Sequence, residues 1–369
     1  MMGSTVVAKI GSSSITDHAG AISTDAVAKL CREVAALRDA GHRCVIVSSG
    51  AIAAGLPLLG LGGDRRPRDI ATLQAVSAVG QGRLIGHYMD ELARHGLVGG
   101  QVLLTPLDFI MRSQYVHARS TMQRLLELGV VPVVNENDTV ADDEIRFGDN
   151  DRIAALVAHL VDAEHLVLLT DTPGVFTADP RTDEHASLIE EIVEIDAALE
   201  AVAGGAGTLR GSGGMASKLA AAKIATWSGV RVVVAKADRP NVLVDAISGR
   251  AGVGTVFVPK PHRLTARKLW IAFAVAAVGQ VTVDDGARKA LLERGVSLLG
   301  AGVVAVDGKF EAGDAIEIRD VDGAVFAKGL ARHDAATSAS MIGKRTALLP
   351  EGLAPEVVHR DDLVMLPPG

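Results

Sequence analysis

The chain has 369 residues, 48% of them hydrophobic and only 3% aromatic, so its core is built mainly from Val, Leu, Ile and Ala, and its length favours two domains. The formal net charge of −7 and a pI near 5.9 argue against broad electrostatic attraction to nucleic acid or acidic membranes. The longest apolar stretch, around Leu269 to Val278, is too short to span a bilayer, and MMGSTVVAKIG has no signal core; a soluble cytoplasmic protein is expected.

Thr5–Ile10 reads as a strand that carries Lys9 into the glycine–serine turn GSSS. Thr24 is the expected cap of a helix whose apolar positions Val27, Leu30, Cys31, Val34 and Leu37 follow helical spacing, with Gly41 just past its end. Cys44–Val47 reads as a second strand leading into SSGAIAAG. Cys31 on the helix face and Cys44 in the strand are expected as buried thiols, not as a disulfide or a metal or redox motif. Further strands are expected at Gln101–Leu104, Val130–Val134, Leu166–Leu169 and Arg231–Ala235, with helices between them at Ser120–Leu128 and Arg152–Val161. Nearly continuous apolar strands imply burial on both faces. The fold class is therefore α/β, a three-layer αβα sandwich around a mainly parallel sheet, over residues 1–260.

After residue 260 the pattern changes. Residues 261–278, preceded by Pro259 and containing Pro261, read as a linker or bridging helix. Residues 279–369 hold short alternating runs separated by Asp-Gly and Gly-Asp turns, the signature of tight hairpins in a small β-rich domain.

The polar residues that interrupt the first domain suggest chemistry. Lys9 and the cluster GSGGMASK at 211–218, with its Lys218, set two cations in glycine-rich turns at strand and helix ends. Such turns present backbone N–H groups to an anion. The order of lysine and hydroxyl is not that of a Walker A loop, and the bland alternative is a flexible loop capped by a helix. Ser48, Ser49 and Gly50 stand where ligands collect in open α/β sheets, or else form a close-packed turn. Asn135, Glu136, Asn137 and Asp138 directly follow an apolar strand, and GDND at 148–151 directly precedes a helix. Burying such groups without partners costs about 1–3 kcal/mol each, so a ligand is the better explanation, although Asp149 or Asn150 also suits a helix cap. Together the two clusters can bind an α-amino acid, with oxygens on its ammonium and N–H groups on its carboxylate. Thr170 and Asp171 end another strand and suit a nucleotide contact; Pro180 and Arg181 beyond them fit either a base contact or a surface turn. The eleven histidines show no metal-ligand or triad spacing.

In order, VVAKIGSS, VSSGAIAAG, VNENDTV, FGDND, LLTDTPGVFTADP and GSGGMASK resemble the amino-acid kinase superfamily and, within it, the glutamate 5-kinase family; the β-rich tail resembles a PUA domain. The family's usual GTGG reads GSGG here, one hydroxyl for another. The resemblance implies ATP-dependent phosphorylation of the γ-carboxylate of L-glutamate, the first step of proline biosynthesis, with ATP and Mg²⁺ and with L-proline as an inhibitor. It implies that Lys9 and Lys218 neutralise charge on the transferring phosphoryl group and that Asp151 organises them. Ser49, Asp138 and Asn150 would hold glutamate. ATP would meet Lys9, Thr170, Asp171 and the run Ser212, Gly213, Gly214, Met215, Ala216, Ser217 and Lys218, with Gly11 and Gly50 as backbone donors. No dedicated protein ligand for a metal is expected, because Mg²⁺ would sit on nucleotide oxygens and water. A homo-oligomer is expected. The tail carries 10 Lys and Arg against 14 Asp and Glu, a net −4, which disfavours RNA as its partner and leaves regulation or oligomerisation. The rival reading within the superfamily is a different carboxylate acceptor.

Overall fold

The computed structural model describes residues 3–17, 20–63, 66–140, 150–204, 214–261 and 263–366. The chain divides into two compact units, Met1–Arg263 and Leu264–Gly369.

In the first unit one sheet is formed by β1 (Thr5–Ile10), β2 (Arg43–Ser48), β3 (Gly99–Leu104), β4 (Val131–Glu136), β5 (His165–Thr170), β6 (Glu191–Ile192), β7 (Arg231–Lys236) and β8 (Gly254–Phe257). Their order is β3-β4-β2-β1-β5-β7-β8-β6. Every pairing from β3 to β7 is parallel; β8 runs antiparallel to β7 and closes that growth. The mainly parallel α/β sheet expected from the apolar strands is what forms, and β1 and β4 are buried along their whole lengths.

The helices are α1 (Ser12–Ile15), α2 (Thr24–Asp39), α3 (Ala51–Leu58), α4 (Ile70–Arg94), α5 (Pro106–Ile110), α6 (Arg112–Glu127), α7 (Asn150–Leu160), α8 (Ala197–Gly204), α9 (Met215–Trp227) and α10 (Val242–Ser248). Alternation along β1 sends Val6, Ala8 and Ile10 into one core with residues of α2, α4 and α10. Lys9 lies on the opposite face, where α7 packs on β1 and β5 and against α9. The helix layers therefore decide what Lys9 meets.

Several element boundaries differ from the sequence expectation. The cap of α2 is Ser23, whose hydroxyl accepts from the N–H of Ala26 at 3.2 Å; Thr24 is the first helical residue. α6 starts at Arg112 instead of Ser120, because its first two turns are polar and largely exposed and show no apolar period. α7 starts at Asn150, so Asn150 and Asp151 are helical and not a preceding turn. The sequence reading contains no helix over α4, whose 25 residues mix Ser, Gly and Gln into the apolar face. α3 and α4 cross so closely that a Cβ on Gly80 would lie 1.8 Å from the Ala51 carbonyl oxygen, and one on Gly55 2.1 Å from that of Val76.

The second unit has its own sheet: β9 (Gly279–Val283), β10 (Leu298–Leu299), β11 (Val303–Gly308), β12 (Ala315–Arg319), β13 (Val325–Ala331) and β14 (Glu356–Met365), in the order β10-β14-β13-β12-β9-β11. Its core gathers Val281, Leu291, Phe310, Ile318, Phe326 and Val358, among others. Of the expected hairpin turns, that around Asp322–Gly323 joins neighbouring antiparallel strands, with the N–H groups of Asp322 and Ala324 bonded to the Asp320 carboxylate. Asp307–Gly308 ends β11, whose partner is the distant β9. The segment DGARKALLER is a helix, α12 (Asp285–Arg294), capped by Asp284, and a shorter one, α13 (Ala335–Ser340), follows β13. The segment expected to bridge the domains holds one turn of helix, α11 (Ala266–Leu269), and a wider turn over Trp270–Ala274. Within the second unit Ile271 packs with Val364 and Leu330.

Candidate active site

Ile10 pairs with Ser48 on one side and Leu169 on the other, so Gly11, Ser49 and Thr170 follow at one level across three adjacent strands. From β1 the chain moves to β2 and β3 in one direction, then returns through β4 and crosses to β5. A reversal of this kind opens a crevice at the carboxyl ends of the strands.

Asp151 stands at the centre of the polar side chains there. Lys9 Nζ lies 2.5 Å from its Oδ1, and Lys218 Nζ lies 3.3 Å from its Oδ2, which also accepts from the Ser217 hydroxyl at 3.0 Å. Lys9 comes from β1, Asp151 from the first turn of α7 and Lys218 from the first turn of α9, and all three are buried. Burial alone would raise the Asp151 pKa, but the adjacent Lys9 and Lys218 ammonium groups outweigh it and hold the carboxyl below its ordinary value. The triad therefore keeps two cations against one anion. A Cβ at Gly11 would lie 3.5 Å from Lys9 Nζ, so the backbone at that turn runs beside the ammonium.

A second polar group borders the first. Asn150, the neighbour of Asp151, donates from Nδ2 to Ser49 Oγ at 3.0 Å, and its Oδ1 accepts from the N–H of Glu136 at 3.3 Å. Asp138 accepts from the Ser77 hydroxyl at 2.9 Å; burial pushes its pKa up, and that hydrogen bond partly opposes the shift. Asn135 donates from Nδ2 to Gln81 Oε1 at 2.8 Å. Behind Ser49, the Ser48 hydroxyl lies 2.8 Å from the buried Tyr88 hydroxyl. Gly50 takes φ +113° ahead of α3, and a Cβ there would come within 2.9 Å of Ile22, so the turn requires glycine.

The remaining expected residues separate into three groups. Thr170 is buried at the end of β5 and its hydroxyl donates to Asp171 at 3.0 Å. Gly214 precedes α9, and Met215, Ala216, Ser217 and Lys218 form its first turn; Ser212 and Gly213, like Gly148 and Asp149, lie outside the described residues. Arg181 is exposed and its guanidinium pairs with Asp179 at 2.8 Å, the arrangement of a surface turn. His159 lies near the other end of α7 from Asp151, and burial lowers its pKa to about 4.

Sequence reasoning missed Ser77 and Gln81, both on α4. Their signal is faint: two polar residues one turn apart on a long helix that mixes polar and apolar residues. Among the described residues no group of three or more His, Cys, Asp and Glu is placed to hold a metal ion.

Comparison with known proteins gives concordant results. The Amino acid kinase family matches residues 4–236 and the PUA domain residues 279–353. The chain is 44% identical over 365 residues to the glutamate 5-kinase of Moorella thermoacetica, covering 98% of this chain and 96% of that protein. It is 47% identical over 360 residues to the glutamate 5-kinase of Mycobacterium tuberculosis, covering 97% and 94%. Among solved structures, carbamate kinase from Giardia lamblia bound to AMP-PNP superposes with a TM-score of 0.50 at 17% identity, over 70% of this chain and 99% of that one, a likeness of fold alone.

Proposed function

The chain belongs to the amino acid kinase family, and from that premise we propose that it transfers the γ-phosphoryl group of ATP to the γ-carboxylate of L-glutamate, giving L-glutamyl 5-phosphate and ADP. The observation that carries this reading is the triad: one buried carboxylate drawing together two lysines that are 209 residues apart in sequence. A carboxylate acceptor is already ionised at neutral pH, so the transfer needs no general base. It needs cations, because an anionic nucleophile must approach an anionic phosphoryl group and charge then builds on the leaving ADP. Lys9 and Lys218 supply them, and Asp151 holds both in register. With MgATP bound, the ion would be held by phosphate oxygens and water, since both Asp151 oxygens already face lysines.

The second polar group suits the other end of the acceptor. The Asp138 carboxylate accepts from an α-ammonium, while Asn150 and Ser49 offer an amide and a hydroxyl to the amino-acid backbone. Thr170, Asp171 and the first turn of α9 bind the nucleotide, with Gly11 and Gly50 lending N–H groups to phosphoryl oxygens. Proline carries the same α-carboxylate and a secondary ammonium, and it inhibits by competing at Asp138 and Asn150. On this reading the reaction is the first step of proline biosynthesis, carried out in the cytoplasm by a homo-oligomer.

The test is a panel of acceptors incubated with MgATP, trapping the acyl phosphate as its hydroxamate, with and without proline. Glutamate is expected to react in preference to aspartate and N-acetylglutamate, and preference for either of those would overturn the acceptor assignment. Lys218→Ala is expected to lower kcat by about a hundredfold or more while glutamate still binds. Near-normal turnover would remove Lys218 from the transfer step.

A further inference from the structure

Asn135 is almost wholly buried, and its amide is used on one side only. Nδ2 donates to Gln81 Oε1 at 2.8 Å, whereas Oδ1 accepts from no donor among the described residues. An orphaned buried carbonyl oxygen costs about 1–3 kcal/mol, so its retention calls for a partner that arrives later. An amide side chain can also present either end to its surroundings. Here Gln81 presents Oε1, and Asn135 turns Nδ2 toward it and leaves Oδ1 as the available group. One helical turn earlier on α4, Ser77 donates to Asp138. The same helix face thus sets two oxygen acceptors three residues apart, Asn135 near the end of β4 and Asp138 just after it.

We propose that Gln81 is a positioning residue that fixes the Asn135 amide so that its Oδ1, with the Asp138 carboxylate, receives the N–H groups of a primary ammonium on the acceptor. This deepens the assignment of glutamate as acceptor and rests on it. Two acceptors converging on one nitrogen need at least two N–H donors, and an ammonium supplies three. An N-acylated amino acid offers a single N–H and adds a carbonyl that cannot pair with either oxygen, so selection against N-acetylglutamate is built into this arrangement.

The experiment compares wild type, Gln81→Glu and Gln81→Met by steady-state kinetics with L-glutamate and N-acetyl-L-glutamate, with thermal melting as the fold control. Glutamate at 81 still accepts from Nδ2, and KM for L-glutamate is expected to stay within about threefold. Methionine accepts poorly, frees the amide to turn, and is expected to raise that KM about tenfold, the equivalent of one hydrogen bond. Turnover and KM for MgATP should change less than twofold. Discrimination against N-acetylglutamate should narrow in the methionine variant.

A second pair of variants removes dependence on the methionine protein alone. Asn135→Asp presents an oxygen whichever way it turns, so adding Gln81→Met to it is expected to cost nothing further in glutamate KM. Equal behaviour of Gln81→Glu and Gln81→Met, or the same penalty from Gln81→Met in both backgrounds, overturns the proposal. Failure of the wild-type protein to phosphorylate glutamate would instead overturn the reading on which it rests.

Discussion

Two lysine side chains cannot share a buried pocket without an anion between them, and the residue that meets this requirement is Asp151. Replacing it by Asn keeps the shape and removes the charge, leaving Lys9 and Lys218 facing each other in a desolvated site. Breaking a buried ion pair from one side costs about 3–5 kcal/mol, so Asp151→Asn is expected to lower the melting temperature and to reduce kcat by about a hundredfold or more. Thermal melts and the hydroxamate assay check both; a variant as stable and active as wild type would refute the triad's role. The folded pKa of Asp151 lies below its ordinary value, so its stabilising contribution is complete above about pH 4 and is lost as pH falls through the depressed value. Asp138 behaves oppositely. Its pKa is raised by burial, so glutamate KM is expected to rise on acidification at a higher pH than an ordinary aspartate would dictate. Ser77→Ala removes the opposing hydrogen bond and should move that rise to still higher pH; KM profiles that coincide would exclude Asp138 as the titrating group. Lys9, Asp138 and Asn150 are legible in the sequence because Lys9 interrupts an apolar strand near its end, Asp138 belongs to a polar run that follows one and Asn150 to a polar run that precedes a helix. Ser77 and Gln81 are not, because a helix surface tolerates polar residues for many reasons and nothing local marks these two.

At the scale of elements, the site depends on how α3 is held. α3 begins directly after Ser49 and Gly50, and its backbone touches that of α4 at Gly80. A methyl group at Gly80 meets the α3 backbone at Ala51 and Gly55, so α3 must move and carry Ser49 with it. Gly80→Ala is expected to cost about 1–3 kcal/mol and to raise glutamate KM. Gly82, two residues along the same helix, faces open space; Gly82→Ala is expected to stabilise by about 0.5–1 kcal/mol without touching kinetics. Denaturant titration of the pair decides the matter, and identical behaviour would dismiss the close crossing. Six of the eight strands of this unit were readable, most of them because two-sided burial leaves an uninterrupted apolar run; the short β6 and β8 were not read. α4 was not, since the glycines that permit the crossing also erase the periodicity by which a helix is recognised. In the second unit, α12 hid for a different reason: its Asp-Gly opening looks like a hairpin turn, and only Asp284 accepting from the N–H of Ala287 reveals it as a capped start.

For the whole molecule, the two units have separate cores, and every side chain placed at the candidate site belongs to the first. A protein of residues 1–263 is therefore expected to fold and to phosphorylate glutamate, with circular dichroism and the hydroxamate assay as the measurements. A folded but inactive fragment would show that the second unit contributes to catalysis. The change of period near residue 260 raised the expectation of two domains, but gave no sign of where the segment around Trp270 would pack. That depends on Ile271 finding Val364 and Leu330, contacts between residues far apart in the chain. Cys31 and Cys44 add a practical consequence. Both thiols are free and buried, and burial pushes each pKa up to about 12, so both stay protonated at neutral pH. Alkylating and oxidising reagents act on thiolates, and the native protein offers them almost none. A single cysteine introduced on the surface can thus be labelled with a fluorophore or spin probe in the otherwise unmodified chain, without first removing the two it already has.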